Sequence, residues 1–225
     1  AEYGLAHVLN ALLKLEKKDY LGAQQELETN LKNGNNDNFT MISLANVYRE
    51  LLMFDKAEEM TKKVIEKTPD SLNYHCQLAE TYIAEKKYNE ALNIIDTVLQ
   101  KNENYIAAYS IGAKAAFGNQ NYDKAKDFAQ KAISLDMNYA SGYYYLALVR
   151  LEEKDYDEAL ECMKRAIMFD LNNPEYYAAM SKIYKEKEDY KSALEYIKEA
   201  ENISSKEEYR IVYKELATLT RKIRK

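Results

Sequence analysis

The chain is short of the residues that interrupt helices, with only two prolines and six glycines among 225 residues. Turns must therefore be made mostly by polar residues, because few positions have the backbone freedom of glycine or the fixed backbone of proline. The longest uninterrupted apolar run, Tyr143–Val149, is far shorter than the roughly 20 residues that cross a bilayer. The sequence therefore predicts no membrane span.

Positive charge is not in excess either, since 32 Lys and Arg residues stand against 37 Asp and Glu residues, a net charge of −5. This balance disfavours a nucleic acid or an anionic membrane as the partner of the main body of the protein. The only two cysteines, Cys76 and Cys162, are far apart and are predicted to be separate buried thiols, which favours a cytoplasmic location. Because the sequence begins at Ala1 without a methionine, an exported or periplasmic protein that has lost an upstream segment is an open alternative.

One short pattern, an aromatic residue followed three positions later by alanine, recurs six times. The alanines are 34 residues apart in every interval, without an insertion or a deletion. Self-similarity at one fixed period of this length indicates a repeat protein, in which each unit buries its apolar face against the next. The six pairs are Tyr20 and Ala23, Phe54 and Ala57, Tyr88 and Ala91, Tyr122 and Ala125, Tyr156 and Ala159, and Tyr190 and Ala193.

Taking this alanine as position 20 divides the chain into six units and a C-terminal helix. Each unit shows two helical periodicities separated by a polar turn, and the aromatic residue begins the second helix. Position 8 is always small, with five alanines and Ser181, as expected where paired helices approach closely. The predicted units are residues 4–37, 38–71, 72–105, 106–139, 140–173 and 174–207, and residues 208–225 form the further helix.

Several positions of this repeat carry the residue types that are typical of a known family. Leucine recurs at position 7 and tyrosine at position 11, as in Leu78 and Tyr82, and the run from Ala166 to Tyr177 contains a junction between two units. The chain resembles the tetratricopeptide repeat (TPR) proteins over nearly its whole length. The resemblance implies an all-α right-handed superhelix, an α-solenoid of six helix-turn-helix repeats closed by a C-terminal capping helix. The first unit matches least well, with Lys14 at position 11, which suggests an end repeat or one partly covered by something upstream.

The C-terminal helix carries a basic tail. Residues 208–225 contain six basic and two acidic residues, and the basic ones cluster at the end in Arg221, Lys222, Arg224 and Lys225. We interpret the cluster as favourable pairing of cations with a helix C-terminus. A basic surface for an acidic partner or nucleic acid is the alternative.

The sequence contains no glycine-rich phosphate loop, no Cys-x-x-Cys pair and no nucleophile elbow. His7 and His75 occupy position 4 of their units with no other ligand in register, so we expect partly buried, hydrogen-bonded side chains and not metal ligands. Acidic pairs near the turns are interpreted as solvated faces, because acid–base catalysis needs a desolvated carboxyl group. The sequence therefore predicts no catalytic residue, cofactor or metal, and a protein that is not an enzyme.

The resemblance also suggests where a partner binds. In TPR superhelices the first helices of the pairs line a concave groove. Here the groove positions would form an apolar strip, flanked by Lys114, Lys182 and Lys185, that consists of Phe117, Tyr144, Leu148 and Leu151. Such a strip is a candidate anchor for a peptide or an amphipathic helix. Burial of the strip by the curvature of the superhelix or by a neighbouring chain is the alternative. The candidate groove residues are Phe39, Asn46, Arg49, Glu80, Lys114, Phe117, Tyr144, Leu148, Leu151, Lys182 and Lys185.

One partner known for the family can be tested against the residues. TPR domains that bind the acidic C-terminus of heat-shock chaperones use a carboxylate clamp of Lys, Asn and Arg side chains. No register of this sequence supplies the clamp; from the first unit, the clamp positions hold Val8, Leu12, Ser43, Asn73 and Gln77. A chaperone tail is therefore not the predicted partner.

The predicted function is a non-catalytic scaffold or adaptor that binds a peptide or helix of a partner protein in the groove. A self-assembling structural protein, a homo-oligomer formed through its end units, is one alternative, because the first unit is apolar at Leu5, Val8, Leu12 and Leu15. The recruitment domain of a larger enzyme is another. Since the regular columns specify the architecture, the variable groove positions must specify the partner.

Overall fold

The computed structural model describes residues 2–223, with side chains from residue 4 to residue 221. This part of the chain consists of helices joined by short turns, and none of its helices has the length and apolar character needed to cross a membrane. The helices within residues 2–223 are α1 (Glu2–Glu16), α2 (Tyr20–Lys32), α3 (Asn38–Glu50), α4 (Phe54–Lys67), α5 (Leu72–Ala84), α6 (Tyr88–Lys101), α7 (Ile106–Gly118), α8 (Tyr122–Leu135), α9 (Ala140–Glu152), α10 (Tyr156–Phe169), α11 (Pro174–Glu186), α12 (Tyr190–Ile203) and α13 (Glu207–Ile223).

The helix boundaries follow the 34-residue period. Two consecutive helices fall in each period, and the second helix of every pair begins at the repeated aromatic residue. α1 begins two residues before the first predicted unit, and α13 begins at Glu207, one residue before the predicted C-terminal helix. The all-α architecture of helix pairs followed by a final helix is confirmed.

The chain divides into two compact units, Ala1–Ile111 and Gly112–Lys225, with the boundary inside α7. In the first unit α1 packs on α2, α2 on α3, α3 on α4, α4 on α5 and α5 on α6. In the second unit α8 packs on α9, and the same order continues to α13 on α12. Within each unit the helices therefore stack as a repeat protein requires.

The two columns of small residues are buried, as predicted. The alanine at position 20 has no exposed surface in any of the six periods, and position 8 is at most 3% exposed. Ser181, the one polar residue in these columns, donates its hydroxyl to the Ala193 carbonyl at 2.7 Å. The hydroxyl is satisfied inside the closest helix contact of its pair, so it does not disturb the packing.

The turns within the helix pairs lack glycine and adopt a left-handed conformation. The residue at position 15 has φ between 58° and 65° in all six turns; these residues are Lys18, Leu52, Lys86, Gln120, Lys154 and Glu188. In the third turn the Lys86 N–H donates to the Ile83 carbonyl at 3.0 Å and the Lys87 N–H to the Tyr82 carbonyl at 2.8 Å. This pattern is a Schellman motif, which satisfies carbonyls at the end of the first helix. Non-glycine turns are confirmed, with apolar Leu52 as the exception to their polar character.

A hydrogen bond that the repeat columns do not reveal fastens several first helices to the turn before them. Tyr109, Tyr143 and Tyr177, all at position 4, donate their hydroxyls to the main-chain carbonyl six residues earlier, at 2.7, 3.0 and 3.1 Å. His75, also at position 4, places Nε2 2.9 Å from the Pro69 carbonyl. The expectation of a hydrogen-bonded, partly buried histidine is confirmed here, and the bond serves packing.

The predicted basic tail is only partly visible. Arg221 is exposed near the end of α13. The side chain of Lys222 and the residues Arg224 and Lys225 lie outside the described residues.

Candidate functional site

A cavity of about 520 Å³ lies beside α11 in the second unit, and we call it the α11 cavity. Its walls come from four helices, α9, α11, α12 and α13. The lining residues are Tyr144 and Leu148 from α9, Glu175, Ala178, Ala179, Ser181, Lys182, Lys185 and Glu186 from α11, Ile197 from α12, and Glu208, Tyr209 and Val212 from α13.

Helical spacing explains why these side chains converge. Tyr144 and Leu148 are four residues apart on α9, and Ala178, Lys182 and Lys185 are spaced by four and three on α11. Residues at such spacings share one face of a helix. Each helix therefore presents one side to the cavity.

Tyr144 is held in place by aromatic contacts. Its ring centroid lies 5.0 Å from that of Tyr176 on α11 and 5.0 Å from that of Tyr145 on α9. Separations of this size are typical of attractive aromatic pairs. Burial raises the pKa of the Tyr144 phenol, so its hydroxyl is uncharged at neutral pH. The wall of the cavity at this point is aromatic and neutral.

Charged groups surround the apolar lining of the cavity. At one end Lys206 joins two acidic residues, with Nζ 3.4 Å from Glu175 Oε1 and 3.7 Å from Glu208 Oε1. On α11, Lys182 Nζ lies 3.6 Å from Glu152 Oε1. Among the described residues, the Lys185 side chain takes part in no hydrogen bond or ion pair, which leaves its charge open to a partner.

The structure brings four of the eleven predicted groove residues together. Tyr144, Leu148, Lys182 and Lys185 all line the α11 cavity. Leu151, which was expected to extend the apolar strip, is only 5% exposed and lies outside the lining. Leu151 lies four residues after the fully buried Ala147 and shares its side of α9, so its assignment to the exposed strip is wrong.

Phe117 and Lys114, the predicted groove residues on α7, are both half-buried. The Phe117 ring packs on Tyr122 at the start of α8, with ring centroids 5.5 Å apart. Neither residue lines the α11 cavity. Phe117 therefore contributes to packing against the aromatic column of its own helix pair.

The remaining four candidates lie in the first unit, on α3 and α5. Phe39 is 56% exposed and lines a smaller cavity of about 290 Å³. Asn46, Arg49 and Glu80 are half-buried. These residues are accessible in part, and Phe39 contributes to a defined cavity.

Residues of α13 were not among the predicted groove residues, yet Glu208, Tyr209 and Val212 line the α11 cavity. The sequence does show an apolar stripe on this helix, which includes Tyr209, Val212 and Leu216. The stripe predicts a cap, but the direction in which α13 crosses α12 decides which of its residues reach the cavity.

The two thiols offer no reactive group. Cys76 is 2% exposed and Cys162 is 5% exposed, and both are free. Burial raises the pKa of Cys76 to about 12 and that of Cys162 to about 11. Both stay protonated at neutral pH, and a thiol in this state is a poor nucleophile. The prediction of two buried structural thiols is confirmed.

Comparison with known proteins agrees with the geometry. One tetratricopeptide repeat model matches residues 53–115 and 116–183, and a second matches residues 174–207. No curated protein sequence matches the chain at a significant level.

Solved structures share the fold. A thermophilic TPR protein of Thermus thermophilus has a TM-score of 0.72 at 18% identity, covering 81% of this chain and 100% of its own. MamA has a TM-score of 0.54 at 26% identity over 73% of this chain and 96% of its own. Yeast Tom70 has a TM-score of 0.75 at 16% identity, over 97% of this chain and 47% of its own.

One assignment follows from four observations: the 34-residue period, the buried columns of small residues, the thirteen helices of residues 2–223, and the family matches over well more than half of the chain. The protein belongs to the tetratricopeptide repeat family.

Proposed function

We propose that the protein is a non-catalytic scaffold or adaptor that binds a segment of a partner protein in the α11 cavity. The fold supports a protein-interaction role, since TPR repeats act in general as interaction scaffolds. The single observation that carries the proposal is the cavity itself, where the side chains of Tyr144 and Leu148 form an apolar wall beside Lys182 and Lys185.

The size and chemistry of the cavity suit a peptide ligand. Its volume of about 520 Å³ lies within the range of about 300–1,000 Å³ found for ligand sites. An apolar depression with a charged rim accepts one or more apolar side chains of a partner, while the rim fixes their orientation.

The test uses a displayed library of random peptides selected on the wild-type protein. Peptides enriched on the wild type are expected to lose at least tenfold in affinity for Leu148→Lys, because a buried lysine would oppose the apolar anchor. The double variant Leu148→Lys, Tyr144→Ala should abolish binding while circular dichroism shows retained helicity.

Met168→Lys is the matched control, since Met168 is 61% exposed on α10 and does not line the cavity. The control should bind like the wild type. Selected peptides that bind Leu148→Lys as well as they bind the wild type would contradict the proposal.

A second candidate function, self-assembly, is supported by a different surface. Leu5, Leu9, Leu12 and Leu13 on α1 are 62%, 51%, 39% and 55% exposed. Their spacing places them on one face of the helix, and a contiguous exposed apolar face marks an interaction surface. A second copy of the chain that covers this face would explain it.

Sedimentation equilibrium over a range of protein concentrations tests this candidate. The wild type is expected to associate, and Leu9→Glu with Leu13→Glu to remain monomeric, whereas Leu21→Glu on α2, also at an exposed leucine, should associate like the wild type. A wild-type protein that stays monomeric at every concentration would exclude self-assembly through α1.

A further inference from the structure

The exposed side of α1 is apolar and carries no charged residue between positions 4 and 13. Its exposed residues in this range are the four leucines named above, Ala6 and Asn10. A helix of the last pair shows the opposite composition, since the exposed residues between positions 191 and 199 of α12 are all charged: Lys191, Glu195, Lys198 and Glu199. Charged side chains are well hydrated, whereas contiguous exposed leucines mark a contact surface.

The leucines of α1 form a stripe that is centred on Leu9. The rotation of about 100° per residue places Leu5 and Leu12 on one side of Leu9 and Leu13 on the other. Ala11, which is 1% exposed, lies on the opposite side of the helix among the buried residues of the first unit. The leucine stripe therefore points away from the unit to which α1 belongs.

The leucine stripe is complementary to itself when two copies lie antiparallel. Leu5 and Leu13 are each four residues from Leu9. A two-fold axis beside Leu9 therefore places the Leu9 side chains of two copies together and brings Leu5 of each copy next to Leu12 and Leu13 of the other. The antiparallel arrangement also opposes the two helix dipoles, whereas a parallel one would align them.

A cavity beside the leucine stripe supplies a further point of contact. It has a volume of about 290 Å³, and its apolar lining includes Leu5 and the half-exposed ring of Phe39. Its polar lining residues Asn30 and Asp37 are hydrogen-bonded within the first unit, so an apolar side chain that enters the cavity leaves neither without a partner. In the antiparallel arrangement Leu12 of the second copy lies next to Leu5 and fills this space.

We propose that the protein forms a closed dimer of two-fold symmetry, in which the α1 helices of two copies pack antiparallel with Leu9 at the symmetry axis. This inference rests on the self-assembly candidate above and adds the surface that the second copy contributes, the direction of the two helices and the size of the assembly. Both copies use the same surface, so the contact does not extend to a third copy.

The size of the contact sets the strength of the dimer. The exposed fractions of the four leucines add up to about two whole side chains in each copy. This is a small area compared with the roughly 1,200–2,000 Å² of a stable complex. The dimer is therefore expected to exchange with the monomer at micromolar protein concentrations.

Disulfide cross-linking of the full chain tests the arrangement. Leu9→Cys should form a covalent dimer under mild oxidation, because the symmetry axis brings the two Cα atoms within the about 4.4–6.8 Å that a disulfide spans. Leu5→Cys alone and Leu13→Cys alone should not, since the two copies of each residue lie about 12 Å apart along the helices. An equimolar mixture of Leu5→Cys and Leu13→Cys should give the covalent dimer on a non-reducing gel.

Two controls exclude cross-linking at other sites. The wild type should give no covalent dimer, because Cys76 and Cys162 are only 2% and 5% exposed. Leu21→Cys on α2 is the matched control, since Leu21 is a 64% exposed leucine outside the stripe, and it should also give none. Sedimentation equilibrium of the wild type should reach the mass of two chains and no higher.

The outcomes separate this inference from self-assembly itself. A wild type that stays monomeric at every concentration would overturn both. Association through α1 in which Leu5→Cys cross-links to itself, or in which the mass exceeds two chains, would overturn the antiparallel dimer and leave self-assembly standing. Association that Leu148→Lys abolishes would show that α1 of one copy occupies the α11 cavity of another, and it would also overturn the inference.

Discussion

The first and last helix pairs of the chain end in opposite ways. α1 leaves Leu5, Leu9, Leu12 and Leu13 exposed, whereas α13 packs on the last pair with Tyr209 at 3% and Leu216 at 0% exposure. A repeat carries an apolar face for its neighbour wherever it stands in the array, so each end of an array needs a cover. The last pair has this cover in α13, and among the described residues the leucine face of α1 has none.

The two pairs also differ in how their helices are joined. In the first pair Glu26 on α2 accepts from Lys14 at 2.9 Å and lies 2.7 Å from His7 Nδ1. At the same repeat positions as Lys14 and Glu26, the last pair has Tyr184 and Tyr196, whose rings stack with centroids 5.3 Å apart. The first pair therefore uses charge where the last pair uses aromatic packing, and the family matches begin only at residue 53.

The largest change in stability is expected when the packing of α13 on the last helix pair is weakened. Leu216→Ala should lower the free energy of unfolding by about 3 kcal/mol, because it leaves a cavity in a fully buried contact. Leu9→Ala, an equal truncation on the exposed face of α1, should change it by no more than about 0.5 kcal/mol. Urea denaturation followed by circular dichroism measures both, and amide exchange should show lost protection in α12 and α13 for Leu216→Ala alone. Equal losses for the two variants would mean that the α1 face is covered in solution.

Loss of an N-cap side chain should destabilise the first and the last helix pair by equal amounts. Asp19 accepts the Gly22 N–H at 2.9 Å at the start of α2, and Asp189 accepts the Ser192 N–H at 3.1 Å at the start of α12. Asp19→Ala and Asp189→Ala should each cost about 1 kcal/mol. Lys87→Ala is the control, because the N-cap Lys87 makes no side-chain hydrogen bond to the helix amides and its partly exposed ion pair with Glu85 contributes little to stability. A cost at one end only, measured by thermal unfolding, would show that the ends differ in local geometry as well as in burial.

Replacing the left-handed turn residues by glycine should stabilise the first and the last helix pair, by a smaller amount. Lys18 and Glu188 have φ of 58° and 61°, a conformation that glycine adopts more easily than other residues. Lys18→Gly and Glu188→Gly should each raise the unfolding free energy by about 0.5–1 kcal/mol. Lys198→Gly, at an exposed position in the interior of α12, should instead lower it by about 1 kcal/mol. A decrease in all three variants would contradict the strain assigned to the turns.

Acid should weaken the contact between the two helices of the first pair, with the smallest effect of the series, whereas the Tyr184–Tyr196 contact at the same positions of the last pair contains no carboxylate. The hydrogen bond from Lys14, and then that from His7, holds the pKa of Glu26 below its ordinary value of 4.5. The ionised carboxylate therefore stabilises the folded state above about pH 4.5, and this contribution is lost as pH falls through the lowered pKa. The loss should be about 0.5 kcal/mol, since the group is partly exposed. Amide exchange of α2 between pH 6 and pH 3 measures it, and Glu26→Gln should remove the difference.

The candidate site could be predicted only where repeat position determines exposure. The groove columns correctly placed Tyr144 and Leu148 on one face of α9 and Lys182 and Lys185 on one face of α11. The same columns failed for Leu151, because it also shares a helix side with the fully buried Ala147, four residues before it, and lies in the helix contact. They gave no indication of Tyr209, because α13 lies outside the repeat.

The sequence by itself determined the period, the start of every second helix and the burial of the small residues. These features are repeated six times, and each depends only on neighbours at fixed spacing, so local physics specifies them. The tertiary structure decided the rest. The hydrogen bonds of the position-4 side chains depend on the geometry of the preceding turn. The stacking of Tyr184 on Tyr196 and the packing of α13 on α12 depend on how neighbouring helices approach one another. Periodicity contains no information on that approach, because it defines the face of a helix but not the distance or angle at which another helix meets it.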